Sequence, residues 1–205
     1  MTQRLLVATA VAVALVVTLT TAAFTLARDG DRQPMMGDLM SVSVPTSEAE
    51  YLVEMVAHHE EAVTAAQELA RSDRPEMRDL GTSIVESQTA QIELMSGWLD
   101  RWHPDAGSAD YEPMMRDLTG LDGDELDRTF LEDMVGHHMM AVMTSQHLLM
   151  AGGDVHPEVA DLADAIRDEQ HREIVTMTRW LREWFDASWR DRHMSGLMSG
   201  RMMGR

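Results

Sequence analysis

The sequence predicts an all-α protein in which two copies of one helical hairpin pack as a four-helix bundle, preceded by an amino-terminal transmembrane or signal helix. Three observations carry this. First, YLVEMVAHHEEAV from Tyr51 recurs as FLEDMVGHHMMAV from Phe130, at an offset of 79. Second, after a three-residue insertion the match resumes at an offset of 82. It pairs Pro75 with Pro157, Ile84 with Ile166, Gln88 with Gln170, Ile92 with Ile174, Met95 with Met177, Trp98 with Trp180 and Trp102 with Trp184. Third, Ile84, Gln88, Ile92, Met95, Leu99 and Trp102 recur at helical spacing, as do their counterparts Ile166 to Trp184. Two amphipathic hairpins bury such stripes by packing together.

The elements follow in order. Residues 1–27 contain an uncharged apolar run, Leu5 to Leu26, long enough to span a bilayer. It reads as a signal anchor or a signal peptide, with Arg4 favouring a cytoplasmic amino terminus. The following domain is therefore expected outside the cytoplasm: single-pass at the cell membrane if the segment is uncleaved, secreted if it is cleaved. Residues 28–46 form a linker containing Met35, Met36 and Met40. The duplicated bundle occupies 47–189, with repeats at 47–103 and 122–189 and a crossover at 104–121.

Ser47 and Glu50 make a capping-box pattern that starts the first helix, which extends to about Arg71. Pro75 and Pro157 sit where a helix start costs no hydrogen bond. The second helix extends to Trp102, the third runs from Asp122 or Gly123 to Ala151, and Gly152-Gly153 stops it. The fourth extends to about Trp189. Residues 190–205 form a Met-rich tail with too few apolar contacts to fold.

The chain of 205 residues carries a formal net charge of -18, which disfavours nucleic acid as a partner and suits a domain that attracts cations. It has no cysteine and 19 methionines, so a soft metal could be held only by thioether sulfur and imidazole nitrogen.

Each repeat carries such groups together. At about 100° per residue, His58 lies about -60° and His59 about +40° from Met55 on the helix wheel. Met134, His137 and His138 repeat the pattern. Met95 and Met177 belong to the inward stripes of the facing helices. Gln88 and Gln170 interrupt those stripes and are expected to hydrogen-bond a ligating imidazole. Glu54 and Asp133, one turn before His58 and His137, have the spacing for the same supporting role. A single buried His or Met is ordinarily core packing. Two His-His pairs, each with a Met three residues earlier and duplicated in register, point instead to a metal.

Thioether and imidazole together select copper, as Cu(I) and as Cu(II), over zinc or iron. Met114 and Met115 in the crossover, and His193, Met194, Met198, Met202 and Met203 in the tail, extend the supply of soft ligands. His147, His156 and His171 occur only in the second copy and read as surface residues, and His103 as a helix-end residue.

The MVAHHEEAV and MVGHHMMAV segments, each followed by Gln, then Met, then a Trp-containing helix end, resemble the family catalogued as domain of unknown function 305. The resemblance covers Ser47 to Trp189. It implies an exported, ferritin-like four-helix bundle, in a family that includes copper-resistance proteins binding copper through Met and His. Carried over, it points to Met55, His58, His59 and Met95, and to Met134, His137, His138 and Met177. The first copy has Glu60 and Glu61 after its His pair, and Gln91 where the second has Glu173, so the two sites are expected to differ in affinity.

The expected function is copper buffering, tolerance or transfer without catalysis, with a copper-handling protein as partner. The alternatives are a metal-free structural or partner-binding bundle and, less favoured, a di-iron ferritin-like oxidase. The latter needs Glu-x-x-His on two helices. The nearest pattern, Asp168-x-x-His171, has Glu86-x-x-Thr89 as its repeat mate.

Overall fold

A computed structural model describes residues 45–185. Four helices make up this region: α1 (Glu48–Gln67), continuing as a 3-10 turn over Glu68–Arg71, α2 (Pro75–Trp102), α3 (Gly123–Ala151) and α4 (Pro157–Phe185). The described residues contain no strand. None of their helices is long and apolar enough to cross a membrane. The Leu5–Leu26 run, Met35, Met36 and Met40, Trp189 and the tail residues His193, Met194, Met198, Met202 and Met203 lie outside the described residues.

The local signals act largely as expected. Ser47 Oγ accepts the Glu50 N–H at 3.2 Å and starts α1. The second half of the capping box differs. The Glu50 carboxylate takes the N–H and the hydroxyl of Thr46, one residue earlier, each at 2.7 Å. Pro75 and Pro157 are the first residues of their helices. Gly152 closes α3 at φ 65°, a left-handed conformation that glycine adopts without steric penalty.

α1 packs on α2 and α3 on α4, and α1 also packs on α3. Gly81 on α2 permits the close approach to α1. A Cβ there would lie 2.7 Å from the Ala66 carbonyl oxygen and 2.9 Å from the Leu69 Cβ.

The interior is two apolar clusters. One gathers Ala62, Leu69, Met77, Ile84, Phe130, Met134, Ile174 and Met177, among others. The other gathers Tyr51, Leu52, Met55, Met95, Ala141 and Ile166, among others. Along every helix the residues between the clusters are polar and buried: His58 and His59 on α1, Gln88 and Gln91 on α2, His137 and His138 on α3, and Gln170 on α4. The first cluster contributes three fully buried methionines, Met77, Met134 and Met177, the second contributes Met55 and Met95, and a polar layer separates them.

Candidate metal centre

The polar layer holds four imidazoles almost entirely withdrawn from solvent: His58 is 4% exposed, and His59, His137 and His138 are 0%. Each Nε2 has an oxygen partner. His59 Nε2–H donates to Gln91 Oε1 at 2.7 Å, and Gln91 Nε2 donates in turn to Glu169 Oε2 at 2.9 Å. At the equivalent place in the second copy, His138 Nε2–H donates directly to Glu173 Oε2 at 2.6 Å. His58 Nε2–H donates to the His137 backbone carbonyl at 3.0 Å. His137 Nε2 lies 3.3 Å from Glu61 Oε2 and 3.5 Å from the Tyr111 hydroxyl, whose own proton goes to Glu61, so both oxygens can only accept from it.

Carbonyl and carboxylate oxygens only accept, so every one of these imidazoles carries its proton on Nε2. The lone pair is then on Nδ1. All four Nδ1 atoms are buried without a hydrogen-bond partner. An unsatisfied buried acceptor costs about 1–3 kcal/mol, so four in one layer call for a partner such as an ion or a buried water. A set of bare, inward nitrogen lone pairs fits a bound metal ion, because metal-ligating histidines commonly fix the second ring nitrogen in this way.

The electrostatics agree. Burial, together with the neighbouring imidazoles, pushes His58 well below the usual histidine range. Burial lowers His59 to about 3 despite its bond to Gln91. It also lowers His137, against the opposing effect of Glu61. These rings stay neutral at physiological pH, the form that binds metal.

The histidines do not converge on one point. Among the described residues, the set of three His or carboxylate ligand atoms found within 4.8 Å of one another lies elsewhere, at Glu48, His103 and His156. A metal in the polar layer would therefore draw on few nitrogens and on thioethers. Met55, Met95, Met134 and Met177 are all buried, with Met55 and Met134 one turn before the histidines. Low-coordinate nitrogen–sulfur ligation suits a soft cation.

The supporting residues differ from those the helical spacing suggests. Asp133 does not reach His137, because Arg116 of the crossover engages its carboxylate at 2.9–3.0 Å. Glu54 lines a surface cavity with Ala106–Asp110, and neither His58 nitrogen bonds it. Gln88 and Gln170 are buried, but neither bonds an imidazole. Gln88 Oε1 and both polar atoms of the Gln170 amide lack partners. The imidazoles are held instead by Gln91 and Glu173, one turn further along α2 and α4, and by Glu61.

Glu61 also ties down the crossover. Its Oε1 accepts the N–H groups of Met114 and Met115, each at 2.8 Å, and its Oε2 accepts the Tyr111 hydroxyl at 2.5 Å. Burial raises the Glu61 carboxyl, but the His137, Tyr111 and Met115 bonds outweigh it and hold it below the usual range. The sequence signals for these partners were present: Glu61 follows the first His pair, and Gln91 and Glu173 are repeat mates of different type. Tyr111 has no such signal.

The remaining histidines divide. His147 and His171 are exposed, and Asp168 accepts from Arg167 at the surface, so the Asp168-x-x-His171 pair forms no interior site. His103 and His156 belong to one cluster with Glu48.

The family described as Domain of unknown function (DUF305) matches residues 48–181 and 148–205. The chain is similar to the structure "CopM in the Cu(I)-bound form", at 27% identity and TM-score 0.61, covering 69% of this chain and 99% of that one. CopM is also known in Cu(II)-bound, Ag-bound and apo forms. A DUF305 protein from Streptomyces coelicolor is similar at 27% identity and TM-score 0.59, covering 65% of this chain and 91% of that one. A DUF305 fragment from Deinococcus radiodurans is similar at 31% identity and TM-score 0.56, covering 68% and 99%. None of the curated proteins matches the chain.

Proposed function

The chain belongs to the DUF305 family, and from that premise we propose that it binds copper, Cu(I) foremost and Cu(II) as well, in copper buffering, tolerance or transfer outside the cytoplasm. The observation that carries this reading is the set of four buried Nδ1 atoms without partners, each on a ring whose Nε2 is occupied. CopM, similar over nearly its whole length, supports the choice of metal, since it has been seen with Cu(I), Cu(II) and Ag.

In this reading Met55, His58, His59 and Met95 serve one copy, and Met134, His137, His138 and Met177 the other. Gln91, Glu173 and Glu61 orient the rings and keep Nδ1 bare. Copper is cargo here, bound and passed on without catalysis, and the chain exchanges it with a copper-handling partner.

The outer face of α3 suggests how the ion arrives. Met139, Met143, His147 and Met150 recur at intervals of four, four and three residues, so each stands one turn from the next. All four are exposed, Met150 by 76%. The equivalent residues of the first copy are Glu60, Thr64, Glu68 and Arg71. In this reading the ladder of soft groups, present on one helix only, collects Cu(I) at the surface.

Anaerobic titration of the full chain with Cu(I) against a competing chelator tests the proposal. The wild type should withdraw copper from the chelator, and replacement of His58, His59, His137 and His138 by Ala should abolish most of that uptake. Equal uptake by both would refute it.

A further inference from the structure

A second cluster of metal-ligating groups lies at one end of the bundle, outside the polar layer. Glu48, in the first turn of α1, is a buried acid with a side chain 4% exposed. Its Oε1 accepts from His103 Nε2 at 2.8 Å and from His156 Nδ1 at 2.8 Å, and its Oε2 accepts the His156 backbone N–H. His103 follows α2 and His156 precedes α4, so three helices contribute. The His156 ring stacks on Trp102, with centroids 3.9 Å apart and planes 3° from parallel, which fixes the direction of its nitrogens. The two histidines are 26% and 44% exposed, so a hydrated ion can reach them.

The internal duplication supplies a control within the same molecule. At the repeat offsets, Glu48 corresponds to Asp127, His156 to Arg74, Trp102 to Trp184 and His103 to Phe185. Those four residues also meet. Arg74 donates to Asp127 Oδ2 at 2.7 Å and lies over the Trp184 and Phe185 rings at 4.9 and 5.1 Å. One end of the bundle is thus closed by a permanent cation, a carboxylate and two aromatic rings, none of which except the carboxylate binds metal. The other end keeps the carboxylate and the tryptophan. It replaces the guanidinium and the phenyl ring with imidazoles whose nitrogens face the same oxygen. A salt bridge alone needs only the arginine arrangement, and the second imidazole adds a ligand that a salt bridge does not require.

We propose that Glu48 Oε1, His103 Nε2 and His156 Nδ1 form a separate site for a divalent cation of the Zn(II) or Cu(II) class, ligated by two nitrogens and one oxygen. Three protein ligands of this kind leave a coordination position for water or for a partner's donor. With no thioether in the set, the site discriminates against Cu(I), in contrast to the interior. Binding would displace the N–H groups now donated to Glu48, each neutral ring carrying its proton on the other nitrogen instead. The ion would tie the start of α1 to the ends of α2 and α4.

The test is titration of the full chain with Zn(II), and in a parallel arm Cu(II), against a chromophoric chelator. The comparison is with a double variant, His103→Phe with His156→Arg, which installs the side chains of the opposite end and so preserves a closed bundle. The variant should take up one equivalent fewer of the divalent ion and keep its Cu(I) uptake. Loss of Cu(I) uptake with His58→Ala and His137→Ala, but not with this variant, separates the two sites. If wild type and variant take up the same number of equivalents, the proposal fails. Should the variant not fold, anomalous scattering from wild-type crystals soaked in Zn(II) decides. A peak bonded to these three atoms supports the site, and no peak there overturns it.

Discussion

The His58 and His137 rings lie with their centroids 3.6 Å apart, planes inclined by 32°, and His58 Nε2–H donates to the backbone carbonyl of His137. The two copies of the repeat thus meet through their first histidines. Neither ring can turn without disturbing the other. Copper affinity should therefore respond non-additively: His58→Ala alone should weaken Cu(I) binding at both copies, and adding His137→Ala should weaken it by less than the sum. A double-mutant cycle on chelator-competition affinities measures this, and strict additivity would show the copies to be independent.

Glu173 holds His138 with a charged acceptor, whereas Gln91 holds His59 with a neutral one. A carboxylate makes the imidazole a stronger donor to metal. Glu173→Gln should weaken the second-copy site by about 10-fold, within the range typical of lost supporting contacts. Gln91→Glu should not reproduce that loss. Two-step Cu(I) titrations read both.

Stability should fall in acid. The folded-state pKa values of His58, His59 and His137 are depressed, so between them and the unfolded value near 6.5 only the unfolded chain takes up these protons. Unfolding free energy then decreases as pH drops below about 6.5, by up to about 1.4 kcal/mol per pH unit for each such ring. Glu48 and Glu61, also held below the usual carboxyl range, add to the loss below about pH 4.5. Urea unfolding between pH 5 and 8 checks the histidine part; a flat profile would mean the rings are not held neutral.

Gly81 tests the hairpin packing. Because a Cβ would fall 2.7 Å from the Ala66 carbonyl oxygen, Gly81→Ala should destabilise the fold by about 1–3 kcal/mol despite alanine's better helix propensity. Chemical denaturation reads it, and a gain in stability would show that the helices separate freely.

The outer ladder bears on rate. Met139→Leu, Met143→Leu and Met150→Leu together should slow Cu(I) loading from a chelator while leaving final affinity unchanged. An unaltered loading rate would remove the ladder from the account.

Much of the fold was legible because the sequence states it twice. The offsets of 79 and 82 aligned the hairpins, and Pro75, Pro157 and Gly152 marked element ends that the structure reproduces. The inward position of both histidine pairs was legible for the same reason. Their supporting contacts were not. Helical spacing selected Glu54 and Asp133, neighbours on the same helix. The actual partners come across the bundle, from Glu61 on α1 to His137 on α3, and from Gln91 and Glu173 on the facing helices. Which of two inward residues a turn apart reaches an imidazole depends on helix rotation and depth, so Gln88 and Gln170 were indistinguishable from Gln91 and Glu173 by period alone. Glu48, His103 and His156 were harder still, since helix ends 55 and 108 residues apart meet only in the folded bundle.

The most direct measurement is the protonation of the four interior imidazoles, read by long-range 1H–15N NMR on the full chain before and after Ag(I) as a closed-shell stand-in for Cu(I). Before addition, each ring should carry its proton on Nε2. After addition, the Nδ1 resonances should shift while the Nε2 protons remain. Protons on Nδ1 in the free protein, or Nδ1 resonances indifferent to Ag(I), would contradict the assignment of these atoms as the metal's ligands.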